Sequence, residues 1–133
     1  MKALVADTHS AIWFLAKSPN ISSTARQAMR DATDDGEPIY VSAITLVEMT
    51  YLIEKGRLPE QYLTDLLNEL QNLLSNFELV SIDLAITQTL RKISRSDVPD
   101  MPDRIIAATA LYLNLPLVTR DSKIRTTNLT TIW

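Results

Sequence analysis

Four acidic residues occupy positions that packing alone does not explain. Asp7 ends the apolar run Ala3-Leu4-Val5-Ala6, and Asp121 follows Leu115-Pro116-Leu117-Val118 with only Thr119 and Arg120 between. Asp103 opens the apolar stretch Ile105-Ile106-Ala107-Ala108, and Glu48 lies inside Ile44-Thr45-Leu46-Val47-Glu48-Met49. A buried, unpaired carboxylate costs several kcal/mol or takes up a proton. Four carboxylates that converge are stable together only around a divalent cation, which points to metal-dependent phosphodiester chemistry. All-oxygen ligation selects a hard ion, Mg²⁺ or Mn²⁺. The chain has no cysteine and a single histidine, His9, so thiolate and histidine-rich metal sites are excluded.

Three of the four acids also have a purely structural reading. Asp7 and Asp121 suit helix or turn caps. In Asp100-Met101-Pro102-Asp103, Asp100 reads as the cap of a helix and Asp103 as an acid favoured by the helix dipole. Glu48 discriminates, because its helical neighbours Ile44, Thr45, Tyr51 and Leu52 form a face meant for the core. The competing reading for Glu48 is a structural ion pair with an arginine. Arg104, Arg120 and Lys123 are candidate phosphate contacts, with Thr119 a weaker one. Thr119 and Ser42 also suit caps, turns or hydrogen-bond support for a ligand. His9 reads as a helix-start residue or a substrate contact.

The elements that would position these residues alternate between strand and helix. Strands are expected at 2–6, 39–41, within 77–82 and at 115–118, with a fifth at 129–132. Helices are expected at 10–17, from Ser22 or Ser23 to Asp34, at 43–55, 60–75, 83–95 and 102–114. Asp34-Asp35-Gly36 reads as a turn, Ser42 as a cap and Gly56 as a stop. In 60–75, Leu63, Leu66, Leu67, Leu70, Leu73 and Leu74 follow helical spacing. Alternation of this kind implies a mostly parallel sheet of four to five strands covered on both faces. Ligands bind such sheets at the strands' carboxyl ends, near a topological switch point, and Asp7 and Asp121 both fall just past a strand end.

The 133 residues suit one domain, 1–133. The first apolar run stops after four residues, too short for a signal segment, and no stretch approaches a membrane span. A cytoplasmic protein with no membrane association is expected. The net charge of −3 disfavours a passive nucleic-acid binder. Residues 91–125, however, carry seven basic against four acidic residues, a local +3 in a chain otherwise at −6. With only Gly36 and Gly56, neither a P-loop nor a glycine-rich dinucleotide site can be built.

On these residues the chain resembles the PIN-domain family, and within it the VapC-type toxin ribonucleases. The resemblance begins at Val5-Ala6-Asp7-Thr8-His9-Ser10-Ala11-Ile12-Trp13 and continues through Val41-Ser42-Ala43-Ile44-Thr45-Leu46-Val47-Glu48. It is strongest at Met101-Pro102-Asp103-Arg104-Ile105-Ile106-Ala107-Ala108-Thr109-Ala110 and closes at Leu117-Val118-Thr119-Arg120-Asp121. Asp7, Glu48, Asp103 and Asp121 match the family's acidic quartet. The resemblance implies a three-layer α/β/α fold, Mg²⁺ or Mn²⁺ at the strand ends, endonucleolytic RNA cleavage, and inhibition by a small antitoxin. Many relatives read Asp-Pro-hydrophobic-Asp-Arg before the helix, whereas this chain has Asp100-Met101-Pro102-Asp103-Arg104. Many also carry a histidine where Val98 stands here. A homodimer is expected from the leucine-rich segment 60–75 and the apolar helix 10–16, and the resemblance points the same way.

Two other classes compete. A phosphomonoester hydrolase or phosphoacceptor domain also places Asp after its first strand. The former wants a second Asp where His9 stands, and the latter an acceptor where Ser42 follows Val41. A non-catalytic interaction module would keep the fold without tight metal binding.

Overall fold

A computed structural model describes residues 2–125 and 128–133. Its centre is a five-stranded, wholly parallel sheet in which the third, second, first, fourth and fifth strands of the chain lie side by side in that order. The strands are β1 (Leu4–Ala6), β2 (Ile39–Ser42), β3 (Phe77–Val80), β4 (Leu117–Val118) and β5 (Thr131–Ile132). The helices are α1 (Thr8–Leu15), α2 (Ser23–Asp34), α3 (Ala43–Glu54), α4 (Glu60–Gln71), α5 (Leu84–Thr89), α6 (Met101–Leu113) and α7 (Ser122–Arg125), with a 3₁₀ turn at Leu90–Lys92.

β1 is short, central and buried throughout, so its side chains alternate between two cores. Leu4 and Ala6 join Ile39, Val41 and Val118 under α1, α2 and α4. Val5 joins Leu117 under α5 and α6. α3 serves both faces, giving Met49 to the first core and Ile44 to the second. The result is the expected three-layer α/β/α sandwich, in which the long continuous apolar runs belong to strands covered on both sides.

Helix starts follow the sequence closely. Asp7, Ser22, Ser42, Asp83 and Asp100 each accept a backbone N–H from the first turn of the helix they cap. Four helix ends share one hydrogen-bond pattern, in which a residue at positive φ reverses the chain. Gly36 and Gly56 hold that position after α2 and α3, and Asn114 after α6. Lys17 holds it after α1, with φ 54°, while Ser18 N–H closes onto the Trp13 carbonyl at 2.9 Å. Left-handed backbone disfavours a Cβ, so Lys17→Gly is expected to stabilise the fold by about 0.5–1 kcal/mol net of glycine's chain entropy. Thermal unfolding checks this, and an unchanged or lowered melting temperature contradicts it.

The segment 60–75 is not one helix. α4 stops at Gln71, and Asn72 turns extended with ψ 115° while its side chain accepts the Leu74 N–H. The chain must reverse there to feed β3, whose neighbour Asn76 accepts from Ile39 N–H. Leu73 and Leu74 are consequently 100% and 92% exposed, and only Leu66 of the leucine stripe is fully buried. The expected 83–95 helix likewise ends at Thr89 and continues as the 3₁₀ turn. Ala11 and Ile12 of α1 are buried in the core, so α1 does not supply the free apolar face expected of it. No described helix is long and apolar enough to cross a membrane.

Candidate metal centre

Chain order and sheet order together create the site. From β1 the chain moves outward through β2 to β3, then returns to the other side of β1 to lay down β4 and β5. The strand order reverses between β1 and β4, and the loops there diverge and leave a crevice. Asp7 N–H donates to the Val118 carbonyl at 3.1 Å, so the exits of β1 and β4 lie side by side. Ser10 Oγ donates to the same carbonyl at 3.1 Å and pins the first turn of α1 there.

Asp7 is both a cap and a site residue. Its Oδ1 accepts from Ser10 N–H at 2.9 Å, and its charge is felt by Glu48 across the crevice. Glu48 lies one turn into α3 and is half-buried at the rim rather than sealed in the core. Among the described residues no arginine pairs with it. Its Oε1 instead accepts the Thr8 hydroxyl at 2.5 Å, and Thr8 Oγ1 lies 3.0 Å from the Thr45 hydroxyl. Because the Thr8 proton is given to Glu48, Thr45 donates to Thr8, and a buried hydroxyl relay holds the carboxylate. Thr8 had no distinguishing signal in the sequence beyond its place next to Asp7.

The tightest carboxylate group is Glu48, Asp100 and Asp103, with one oxygen of each within 4.8 Å of the others. Asp100 caps α6 through Asp103 N–H at 3.2 Å, so the residue read as a cap also delivers a carboxylate to the cluster. Its three-residue spacing from Asp103 was the available signal. Asp103 is half-buried, and its carboxyl is pushed up to about 7. Burial is the main cause, followed by the charges of Asp100, Asp121 and Glu48 and a hydrogen bond shared with Asp121. The Glu48 carboxyl is also raised, chiefly by burial, with Asp100 and Asp7 adding to the shift and the Thr8 hydroxyl and His9 opposing it. Among the described residues no basic side chain forms an ion pair with Glu48 or Asp103.

Asp121 faces this group from the β4 side. Its N–H donates to Thr119 Oγ1 at 3.0 Å, and its Oδ1 accepts from Lys123 N–H at 2.9 Å. Thr119 is wholly buried, which places its hydroxyl beneath the Asp121 turn rather than on an exposed surface. Arg104 Nε donates to the Ile93 carbonyl at 2.9 Å, so part of its guanidinium is committed to holding the 3₁₀ turn against α6. Arg120 is exposed and lies over the Trp13 ring, and Lys123 lines the acidic cleft. That cleft holds about 180 Å³ between Val98, Pro99, Asp100, Asp103, Asp121 and Lys123. A larger hollow of about 570 Å³ lies away from it, against Phe14, Arg26, Arg30 and Glu69, and contains none of the clustered acids.

The family model of the PIN domain matches residues 4–128. The chain belongs to the PIN domain family. Over 125 residues it is 31% identical to Ribonuclease VapC22 of Mycobacterium tuberculosis, covering 94% of this chain and 92% of that protein. Its fold is similar to that of VapBC2 from Rickettsia felis, solved bound to a DNA fragment from its promoter. There the TM-score is 0.70 at 21% identity, with 97% and 96% of the two chains covered. A toxin–antitoxin complex from Klebsiella pneumoniae matches with a TM-score of 0.63 at 25% identity over 98% and 96% of the chains. In this PIN domain the acids fit a hard divalent cation. They are oxygen donors only, close enough to repel one another, and one is driven toward neutrality without a positive partner.

Proposed function

We propose that this PIN domain is a metal-dependent endoribonuclease that acts as the toxin of a toxin–antitoxin pair. The observation that carries the reading is the un-neutralised group Glu48, Asp100 and Asp103, joined by Asp121 and Asp7, at the switch point of the sheet. The ribonuclease name of the Mycobacterium relative and the toxin–antitoxin title of the Klebsiella structure support the same reading. Asp7, Glu48, Asp103 and Asp121 would hold Mg²⁺ or Mn²⁺, with Asp100 as a further oxygen donor. A bound ion of this kind supplies Lewis acidity and a nucleophilic water at neutral pH. The protein's own part is to aim the acids. Thr8 orients Glu48, Thr119 sets the Asp121 turn, and the Asp100 cap fixes the start of α6. Lys123 at the cleft and Arg120 beside it supply positive charge for the RNA backbone. We infer a cytoplasmic location, where cellular RNA would be within its reach.

Cleavage of single-stranded or looped RNA is expected with added Mg²⁺ or Mn²⁺ and is expected to stop in excess EDTA. Sequencing the new 5′ ends of cellular RNA after brief induction gives the sites. Cleavage that persists in EDTA, or in protein lacking the acids, would contradict the assignment.

The antitoxin is assigned to the apolar groove beside Glu48, about 340 Å³ in volume and lined by Val47, Tyr51, Met101 and Pro102 among others. Tyr51 and Met101 are 59% and 62% exposed there. A partner seated in that groove would cover Glu48 and the start of α6, at the edge of the acid cluster. The exposed Leu73 and Leu74 offer apolar surface for the homodimer. Light scattering of the isolated protein is expected to give twice the chain mass, and a monomer at every concentration would remove the dimer.

A further inference from the structure

Around the lip of the acidic cleft stands a group of planar side chains that the acid chemistry does not use. Trp13, half-buried on α1, is its centre. The His9 ring lies 5.3 Å from the Trp13 ring, tilted by 47°. The Arg120 guanidinium carbon sits 4.7 Å from the Trp13 centroid. Trp133, at the end of the described chain, backs the same ring at 6.1 Å. His9 is two residues from Asp7, and Arg120 immediately precedes Asp121, so the group spans the exits of β1 and β4 beside the acids. His9 and Arg120 are both exposed and both lie against Trp13, the His9 ring tilted to it and the Arg120 guanidinium over its face.

Such an arrangement is unnecessary for the fold. Trp13 packs on the core by itself, but neither exposed residue contributes to that core. Cationic and aromatic planes held side by side next to a phosphate-cleaving centre form a stacking surface for an unpaired nucleobase. The net charge of −3 adds to the case, because backbone attraction alone is weak for such a protein and stacking provides hold that does not depend on charge.

We propose that His9, Trp13 and Arg120 form a platform on which one unpaired base, next to the bond to be cut, stacks and thereby positions the RNA backbone over the acids. The proposal rests on the ribonuclease reading for its substrate. These are positioning residues, since none is placed at the reacting phosphate.

The two tryptophans, Trp13 and Trp133, make the test direct. Quenching of their fluorescence is titrated with a twelve-nucleotide single-stranded RNA, and competition against that RNA gives the affinity of an abasic ribose–phosphate oligomer of equal length. The wild type is expected to bind the RNA roughly tenfold or more tightly than the abasic chain, the scale of a single base on an aromatic surface. A His9→Ala, Arg120→Lys double variant keeps the charge of Arg120 but loses both planes. It is expected to lose much of the difference between the two oligomers, Trp13 alone remaining of the platform, with its affinity for the abasic chain retained. Both sites are exposed, and an unchanged melting temperature verifies that the variant is folded. Equal wild-type binding of the two oligomers would overturn the platform, and so would a variant that keeps the full difference. In cleavage, the variant is expected to raise KM with kcat less affected. Base-dependent binding without any RNA cleavage would leave the platform standing and sink the ribonuclease assignment instead.

Discussion

Asp103→Asn is expected to abolish RNA cleavage and, in the same protein, to raise the melting temperature of the metal-free fold at pH 8. The two effects share one cause. Asp103 faces Asp100, Asp121 and Glu48 from a half-buried position, and its carboxyl titrates only at about 7. Unfolded, the same group titrates near 3.8. A raised folded value means that the folded state holds the proton more tightly. This contribution to stability is therefore complete below about 3.8 and is lost as pH rises through about 7. Above that, the folded protein carries a charge that it would be better without. Asparagine removes the charge and keeps a side-chain donor for Asp121. After allowing for solvent access to the cleft, the gain at pH 8 is on the order of 1–2 kcal/mol, or roughly 3–8 °C for a domain of this size. The advantage of the variant should be smallest near pH 4 and should grow to a plateau above about 7. Activity should fall by more than about 100-fold, because losing a mere supporting partner of a metal ligand already costs 10–100-fold. Melts of both proteins in EDTA across this range decide the matter. An asparagine variant that is less stable at every pH would mean that the carboxylate has a structural role and not a strained one.

The fold was legible because its signals are local and mutually consistent. Apolar runs of strand length alternate with capped, periodic helices, and the caps Asp7, Ser22, Ser42 and Asp100 are the observed ones. Gly56 marks the end of α3, as expected. What failed was extent. The leucine pattern runs past Gln71 because spacing carries no information about where the sheet needs the chain, and Leu73 and Leu74 are left in water by that demand. The site was legible in its ligand types but not in its wiring. Glu48 stood out as an acid among apolar neighbours, but periodicity set it too deep, since it cannot tell the rim of a helix face from its centre. The partner of Glu48 is Thr8, a hydroxyl forty positions away that only the fold brings near. Asp100 was visible as a cap, and capping geometry is what aims its carboxylate at Asp103, so a structural and a chemical role coincide in one side chain. The aromatic group at the lip was invisible for a similar reason. Trp13, Arg120 and Trp133 lie far apart in sequence and meet only through the adjacency of β1, β4 and β5.

Adding Mn²⁺ is expected to reverse the pH dependence of stability, and Glu48→Gln is expected to remove that reversal. In EDTA, Asp103 makes stability fall as pH rises toward about 7, and the raised carboxyl of Glu48 acts in the same direction. A cation binds only to the deprotonated ligands, so protons compete with it, and its contribution grows as pH rises over the same interval. At a metal concentration 100 times the dissociation constant, the stabilisation is about 2.7 kcal/mol, enough to outweigh the repulsion it replaces. The two melting curves, one in EDTA and one in Mn²⁺, should therefore coincide near pH 5 and diverge toward pH 8, with opposite slopes. Glu48→Gln separates this from a structural role for the carboxylate. If an arginine were paired with Glu48, glutamine would strand a buried cation and destabilise the protein. No such partner exists among the described residues, and Thr8 can still bond to an amide oxygen. The glutamine variant should melt higher than wild type in EDTA at pH 8 and show little response to Mn²⁺. A variant that melts lower in EDTA yet keeps the whole Mn²⁺ shift would take Glu48 out of the metal centre.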